Sequence, residues 1–483
     1  MKIAFFTPLN PIQSGISDYS EELLLTLAGA KVGGRALDID LIIDKGYKPS
    51  NAAIRERFDV LPGKSFGRVA RQYDAIVYQM GNSSAHAYIY NELLRHSGVV
   101  VMHELVLHHL RVWMTLNGGR RKEYVSLMER RYGAEGREAA RRVLLGQFPE
   151  ALFKYPLSDE VIHKARGIIV HSRYMADRVR EVRTDVPLAI VPMGVPLPPL
   201  IPKETARAYL GLDPDLFLVT SVGHLNPYKR VSATLRAFKS LLMEVPRSLY
   251  LLVGSRSPNY DPTRQIEMLG LTNKVRFTGY VSPHDFPYYL AASDVCLNLR
   301  FPTAGETSAS LLRIMGAGVP VLVSRTGSFE ELPDDAAGKI DVDAAEEELL
   351  LEHLLLLAHR PDLREAMSRN ARAYVAQHHT LEQAAVGYLR FLYGMAGNRA
   401  DIRAEIELSQ EVVLPTQPAP TPVMEHTAEA QPEYRAMEAA DPLGLIADAA
   451  AELGIVEEDE ALLAHISGAI EGLVPTRARD GIS

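Results

Sequence analysis

The chain has 483 residues, 47% of them apolar and 23% charged, with a formal net charge of −8. That content suits two α/β domains of roughly 180 residues plus additions, and no run of about 18 apolar residues suggests a membrane-spanning helix. One cysteine, Cys296 in DVCLNL, excludes an internal disulfide and reads as a buried small hydrophobe, and Cys/His zinc spacing is absent. Met1 leads directly into KIAFFT without a signal-peptide pattern, so cytoplasmic residence is the expectation.

The runs KIAFFT, LDIDLII, AIVYQM, GVVVMH, GIIVHS and PLAIVPM are short and apolar, and helical patterns such as Asp18 to Leu27 and Ala176 to Val182 separate them. They read as a doubly wound α/β half over residues 1–194. Inside it, Arg111 to Arg142 carries nine Lys/Arg against four Glu, a helical stretch that could face an anionic acceptor or a membrane surface. The plainer reading is a solvated helical pair with i,i+4 contacts such as Glu138 with Arg142.

VPLPPLIPK, residues 195–203, can neither continue a helix nor join a central strand, so it is assigned as the interdomain hinge. Residues 204–380 repeat the alternation through FLVTSVG, SLYLLVG, KVRFTGY, DVCLNLR and VPVLVS, with helices from Ala344 to about His378 closing the second half. A last helical pattern runs from Leu381 to Tyr393 within residues 381–397. Beyond Gly397, residues 398–440 are rich in Pro, Thr, Ala and Glu and read as a flexible linker. Residues 441–476 offer two short helices, the second with Leu462, Leu463, Ile466, Ile470 and Leu473 on one face, and so small a pair needs a partner surface on this chain or another protein. Residues 401–483 hold 17 Asp/Glu and 4 Lys/Arg, or −13, which leaves about +5 for the first 400. No nucleic-acid partner is expected.

Chemistry concentrates in two places. In FPTAGETSASLLRIMGAGVPVLVS, Phe301 to Ser324, Thr307 or Ser308 is a good N-cap. Leu311, Leu312 and Met315 follow at helical spacing, and Gly316 with Gly318 ends the helix before a strand. The helix start suits a phosphate, and Glu306 just ahead can accept hydrogen bonds from sugar hydroxyls. In GHLNPYKR, Gly223 to Arg230, two cations stand at a strand's carboxyl end, where open α/β sheets bind ligands. Together they suggest a sugar nucleotide.

These pieces, with PLNPIQSGISDYSEELL, VVVMHE, GIIVHSRYMADRV, AIVPMGV and GSFEELP in the same order, make the chain resemble a retaining glycosyltransferase of family 4 over residues 1 to about 397. The resemblance implies the GT-B fold: two Rossmann-like doubly wound domains facing a cleft, with residues 381–397 crossing back to the first domain. It implies transfer of a hexosyl group from a nucleotide diphosphate sugar to an acceptor hydroxyl. No cofactor or metal is expected. The acceptor would be a saccharide or lipid-linked molecule in surface polysaccharide or glycolipid assembly, handled at the inner membrane face.

By the same resemblance, Lys229 matches the lysine that neutralises the donor diphosphate, with His224 or Arg230 as a second contact beside Gly223. Glu306, Thr307 and Ser308 match the region that grips donor sugar and phosphate. His103, ending VVVMH, matches a histidine beside the reacting sugar, and Glu330 matches a glycine-glutamate loop. Gly15 would let backbone approach the diphosphate or acceptor, although turn geometry alone would explain it. His103 and His224 could instead be structural strand-end residues, and Glu330 a surface acid. The chain departs from the family where two glutamates usually lie eight positions apart: Gly305 and Arg313 stand there, so the usual carboxylate contact to the nucleotide ribose is missing. His108 and His109 adjoin on a helix and point apart, so they do not read as a metal pair. The alternatives are a non-catalytic sugar-nucleotide or partner-binding relative, a GT-B sugar-nucleotide epimerase, or a relative of glycogen phosphorylase.

Overall fold

The computed structural model describes residues 1–12, 14–116, 119–257, 260–397 and 405–408. The first domain contributes β1 (Lys2–Phe6), β2 (Lys31–Val32), β3 (Arg35–Ala36), β4 (Asp38–Ile43), β5 (Asp59–Pro62), β6 (Ala75–Met80), β7 (Val99–Met102), β8 (Gly167–Val170) and β9 (Leu188–Ile190). Seven of these form one parallel sheet in the order β5-β4-β1-β6-β7-β8-β9. The second domain holds β10 (Phe217–Val222), β11 (Ser248–Val253), β12 (Val275–Gly279), β13 (Val295–Asn298), β14 (Val321–Ser324) and β15 (Gly338–Ile340), parallel in the order β12-β11-β10-β13-β14-β15. Strands β7, β8, β10, β11, β13 and β14 are buried throughout, which explains their near-continuous apolar sequences. The fold is α/β with two doubly wound halves.

The chain passes between the halves twice, side by side. The Val195 N–H donates to the His379 carbonyl at 2.9 Å, and His379 Nδ1 lies 2.9 Å from the Met193 carbonyl. A Cβ on Gly194 would sit 2.6 Å from the Thr380 carbonyl, so only glycine allows this approach. The proline-rich connector itself lies on the second domain: Arg372 donates to the Pro198 carbonyl at 3.0 Å, and Lys203 pairs with Asp294 at 2.7 Å. The crossings therefore sit at Val195 and Thr380, not along the whole of 195–203. Thr380 and Gln383 form a capping box at the start of helix Leu381–Met395. That helix packs on helix Gly15–Ala28, with the Tyr19 and Tyr388 hydroxyls 3.3 Å apart in the core.

Between β7 and β8 the first domain carries a helical excursion that includes His108–Leu116 and Arg121–Leu144, the latter broken at Gly133 (φ 64°). Much of its positive charge is paired, as in Arg111 with Glu160, Arg131 with Asp159 and Arg137 with Glu129. The expected Glu138–Arg142 contact is replaced by Glu138 with Arg141 at 3.9 Å, because Arg142 lies over the Phe148 ring. No helix among the described residues is long and apolar enough to cross a membrane.

Of residues 398–440, read as a linker, those described are 405–408. They correct that reading locally: β16 (Ile406–Glu407) pairs antiparallel with β2, extending the β2–β3 hairpin while Ile406 and Leu408 pack on the core. The rest of the linker and the helical pair at 441–476 lie outside the described residues.

Candidate functional site

Helix Ala309–Gly316 follows β13 and its loop. Ser308 is the N-cap, its Oγ accepting from the Leu311 N–H at 3.3 Å. Gly318 (φ +68°) ends the helix, with the Val319 N–H bonded to the Ile314 carbonyl and the Gly318 N–H to that of Met315. Thr307 is not the cap; its Oγ1 is buried without a partner. One carboxylate oxygen of Glu306 pairs with Arg300 and the other accepts from Thr303 at 3.0 Å. Burial pushes this carboxyl up, but the Arg300 guanidinium and the Thr303 hydroxyl leave it below the usual range. The Glu306 carbonyl also accepts from the Ser328 hydroxyl at 2.5 Å.

Lys229 closes the short turn Pro227–Lys229 after β10; Gly223 (φ +106°) favours glycine by its backbone, and a Cβ there would stand 3.6 Å from the Lys229 Nζ, which puts the ammonium at the strand end. Its two neighbours do not share that position. Arg230 is held at φ 56° with its guanidinium on Glu346, a carboxylate buried enough to require a counter-charge. His224 has Nδ1 2.9 Å from the Ser255 hydroxyl and Nε2 2.8 Å from that of Ser257, so both ring nitrogens are engaged. Burial and then the Lys229 charge keep it neutral at lower pH than usual.

In the first domain, His103 follows β7 and is 4% exposed. Its Nε2 is 2.5 Å from Gln79 Oε1 on β6, and its Nδ1 is buried without a partner. The rings of Tyr19 and His171 stand 5.3 and 5.0 Å away. Burial, then His171 and His86, depress its pKa well below the ordinary value. Gly15 opens helix Gly15–Ala28 behind the Ser14 cap, and a Cβ there would meet nothing within 4 Å. His108 bonds the Tyr155 carbonyl and the Tyr124 hydroxyl, while His109 faces Asn82, so the pair does point apart. No cluster suited to a metal ion occurs among the described residues.

Hydrogen bonds join these parts, within the second domain and then across the cleft. The Phe301 N–H donates to the Tyr228 carbonyl at 2.9 Å, beside Lys229. Three residues on, the Ala304 carbonyl accepts from the N–H groups of Leu105 and Val106 at 2.8 and 3.1 Å, just after His103. Gly305 (φ +84°) fits because a Cβ would come within 2.9 Å of Leu105 Cβ and 3.0 Å of Met175 Sδ. Arg313, on the helix, donates to both carboxylate oxygens of Glu22 in the first domain at 2.7 and 2.8 Å. Glu330 is exposed, whereas Glu331 crosses the cleft and accepts from the N–H groups of Arg173 and Tyr174, capping helix Arg173–Val182. A small cavity of about 40 Å³, room for a water molecule or two, lies between the domains among His171, Ser172, Thr307, Ser308, Glu331 and His379. The sequence did not single out Gln79, Arg300, Glu22, Glu331 or His171; Arg300, six residues before Glu306, carried the only local signal.

The two facing sheets, with crossings at Val195 and Thr380, define a GT-B architecture. Solved structures of like form include sucrose-phosphate synthase from Thermosynechococcus elongatus (17% identity, TM-score 0.56, 83% of this chain and 100% of that one). Anabaena HepE in complex with UDP is similar to the same degree (17%, 0.56, 82% and 100%). Residues 202–374 match the family model for glycosyl transferases group 1. Curated relatives include D-inositol 3-phosphate glycosyltransferase of Saccharomonospora viridis, 27% identical over 243 residues (47% of this chain, 56% of the relative). Alpha-monoglucosyldiacylglycerol synthase of Streptococcus pneumoniae is 24% identical over 181 residues (36% and 41%). The chain spans about half the length of the curated relatives it matches.

Proposed function

We propose that this chain is a retaining glycosyltransferase that moves a hexosyl group from a nucleotide diphosphate sugar to an acceptor hydroxyl. The observation that carries this reading is the hydrogen-bonded path from the Tyr228–Lys229 turn through Phe301 and Ala304 to the loop after His103. It gathers a cation, a helix start and a neutral histidine at the carboxyl ends of β10, β13 and β7. Lys229 stabilises the negative charge that grows on the departing diphosphate, with Gly223, Thr307, Ser308 and Gly15 as further donor contacts. Glu306 acts through its carbonyl and its pairing with Arg300, shaping the loop that presents the helix start. In the front-face route the departing phosphate oxygen takes the acceptor's proton, so the protein positions reactants and stabilises charge. Opening about Val195 and Thr380 admits donor and acceptor, and closure excludes water.

The UDP complex of Anabaena HepE supports uridine nucleotides as the first donors to try. The relatives named for inositol phosphate and for a glycolipid support a saccharide or lipid-linked acceptor. Exposed Arg121, Lys122 and Arg130 support peripheral contact of 111–142 with an anionic membrane surface. Pairing of Arg313 with Glu22 favours one second reading, a sugar-nucleotide binder without transfer. Nucleotide release from UDP-, GDP-, ADP- and TDP-sugars, with and without saccharide acceptors, tests the two. Acceptor-stimulated release from one donor is expected, and binding without release from any donor would establish the second reading.

A further inference from the structure

We infer that Gln79 is a positioning residue that sets the polarity of His103, so that Nδ1 of His103 meets the sugar as a hydrogen-bond acceptor. The inference rests on the proposed place of His103 beside the donor. Gln79 is fully buried on β6, with Oε1 2.5 Å from His103 Nε2. A carboxamide oxygen can only accept, so Nε2 carries the hydrogen and a neutral ring then leaves Nδ1 as a bare lone pair. That atom is buried and has no partner. Buried polar atoms are nearly always satisfied, so Nδ1 marks a place for a ligand hydroxyl, or for a water that the hydroxyl displaces.

The surroundings keep the ring uncharged. The groups that bear on it are Tyr19 from helix Gly15–Ala28, His171 after β8 and His86 in the turn before helix Ala87–Arg95, and none supplies a negative charge. A neutral acceptor suits the chemistry. As a glycosyl group departs, positive charge develops on the sugar ring, and an imidazolium beside it would oppose that step. An acceptor at this position also favours donors that carry a hydroxyl there over deoxy analogues, because the lone pair would otherwise stay unpaired.

Long-range proton–nitrogen correlation spectra of the 15N-histidine-labelled full chain test the tautomer, with His103→Gln identifying the His103 signals. Between about pH 6 and 9 the expected form has a protonated Nε2 and a bare Nδ1, mixing with the other tautomer in Gln79→Leu. A protonated Nδ1 in the unsubstituted protein overturns the inference whatever the activity. In transfer assays Gln79→Leu should lower kcat at least about tenfold with a smaller change in donor KM. Gln79→Glu still accepts from Nε2 but adds a charge that favours imidazolium, so its activity should recover as pH rises. An equal, pH-independent loss in both variants would reduce Gln79 to packing and overturn the positioning role. The expected tautomer with full transfer in the Gln79 and His103 variants would instead remove His103 from the sugar, and the positioning role with it.

Discussion

Replacing Glu306 by glutamine removes the counter-charge of Arg300 while keeping nearly the same shape. The two side chains are 11% and 16% exposed, and Arg300 Nε is already buried without a partner. Breaking a buried pair leaves the remaining charge desolvated and costs about 3–5 kcal/mol; the kept Thr303 contact puts Glu306→Gln near about 3 kcal/mol. Arg300→Met with Glu306→Leu removes both charges and should recover about half of that loss. Urea titration combined with hydrogen exchange of amides 301–308 is the suitable assay, since two domains need not unfold in one step. The folded pKa of Glu306 lies below its ordinary 4.5, so its stabilisation is complete above that value and disappears as pH falls through the depressed one. The deficit of Glu306→Gln should therefore stay constant from alkaline pH down to about 5 and vanish in stronger acid. Because the pair shapes the loop that presents the helix start, turnover should fall about a hundredfold even where the variant is folded. A variant within about 0.5 kcal/mol of the unsubstituted protein at neutral pH would refute the reasoning.

Arg313→Ala leaves Glu22, whose carboxyl burial already holds above the ordinary 4.5 despite Arg313. A raised carboxyl penalises the fold when ionised, so the deficit should be about 1–2 kcal/mol at neutral and alkaline pH and shrink as pH falls toward 4.5; a pH-independent deficit in melting experiments would contradict this. Gly305→Ala adds about 1 kcal/mol of backbone strain at φ +84° and a clash with Leu105. It should enlarge the radius of gyration in small-angle scattering by holding the cleft open, and an unchanged radius would argue against the close approach. Arg121→Glu with Lys122→Glu should weaken binding to phosphatidylglycerol vesicles by about 1 kcal/mol per charge while sparing transfer to a soluble acceptor. Equal flotation of both proteins would remove the membrane face from 111–142.

Most of the sheet framework was legible because a parallel strand covered on both faces must be apolar throughout, as in FLVTSV and SLYLLV. Within the two parallel sheets, the strands that escaped, Asp59–Pro62 and Gly338–Ile340, lie at the edges, where short segments suffice. The helix start at Ser308 was readable from local capping chemistry. The fate of the charged residues was not. Arg230 is claimed by Glu346, 116 residues away, and Arg313 by Glu22, 291 residues away. Glu331 rather than Glu330 crosses the cleft because one residue of phase in a short turn decides which carboxylate faces the other domain. Such pairings arise only when the two halves close on each other.

The central claim is that Lys229 holds a nucleotide diphosphate sugar. Thermal denaturation of the full chain with UDP-, GDP-, ADP- and TDP-sugars, repeated with Lys229→Ala, tests it most directly, because a ligand bound only to the folded state raises apparent stability. The account predicts a shift with one nucleotide, about 2.7 kcal/mol at a hundredfold excess over Kd, that Lys229→Ala abolishes. An equal shift in both proteins, or none with any donor, would contradict it.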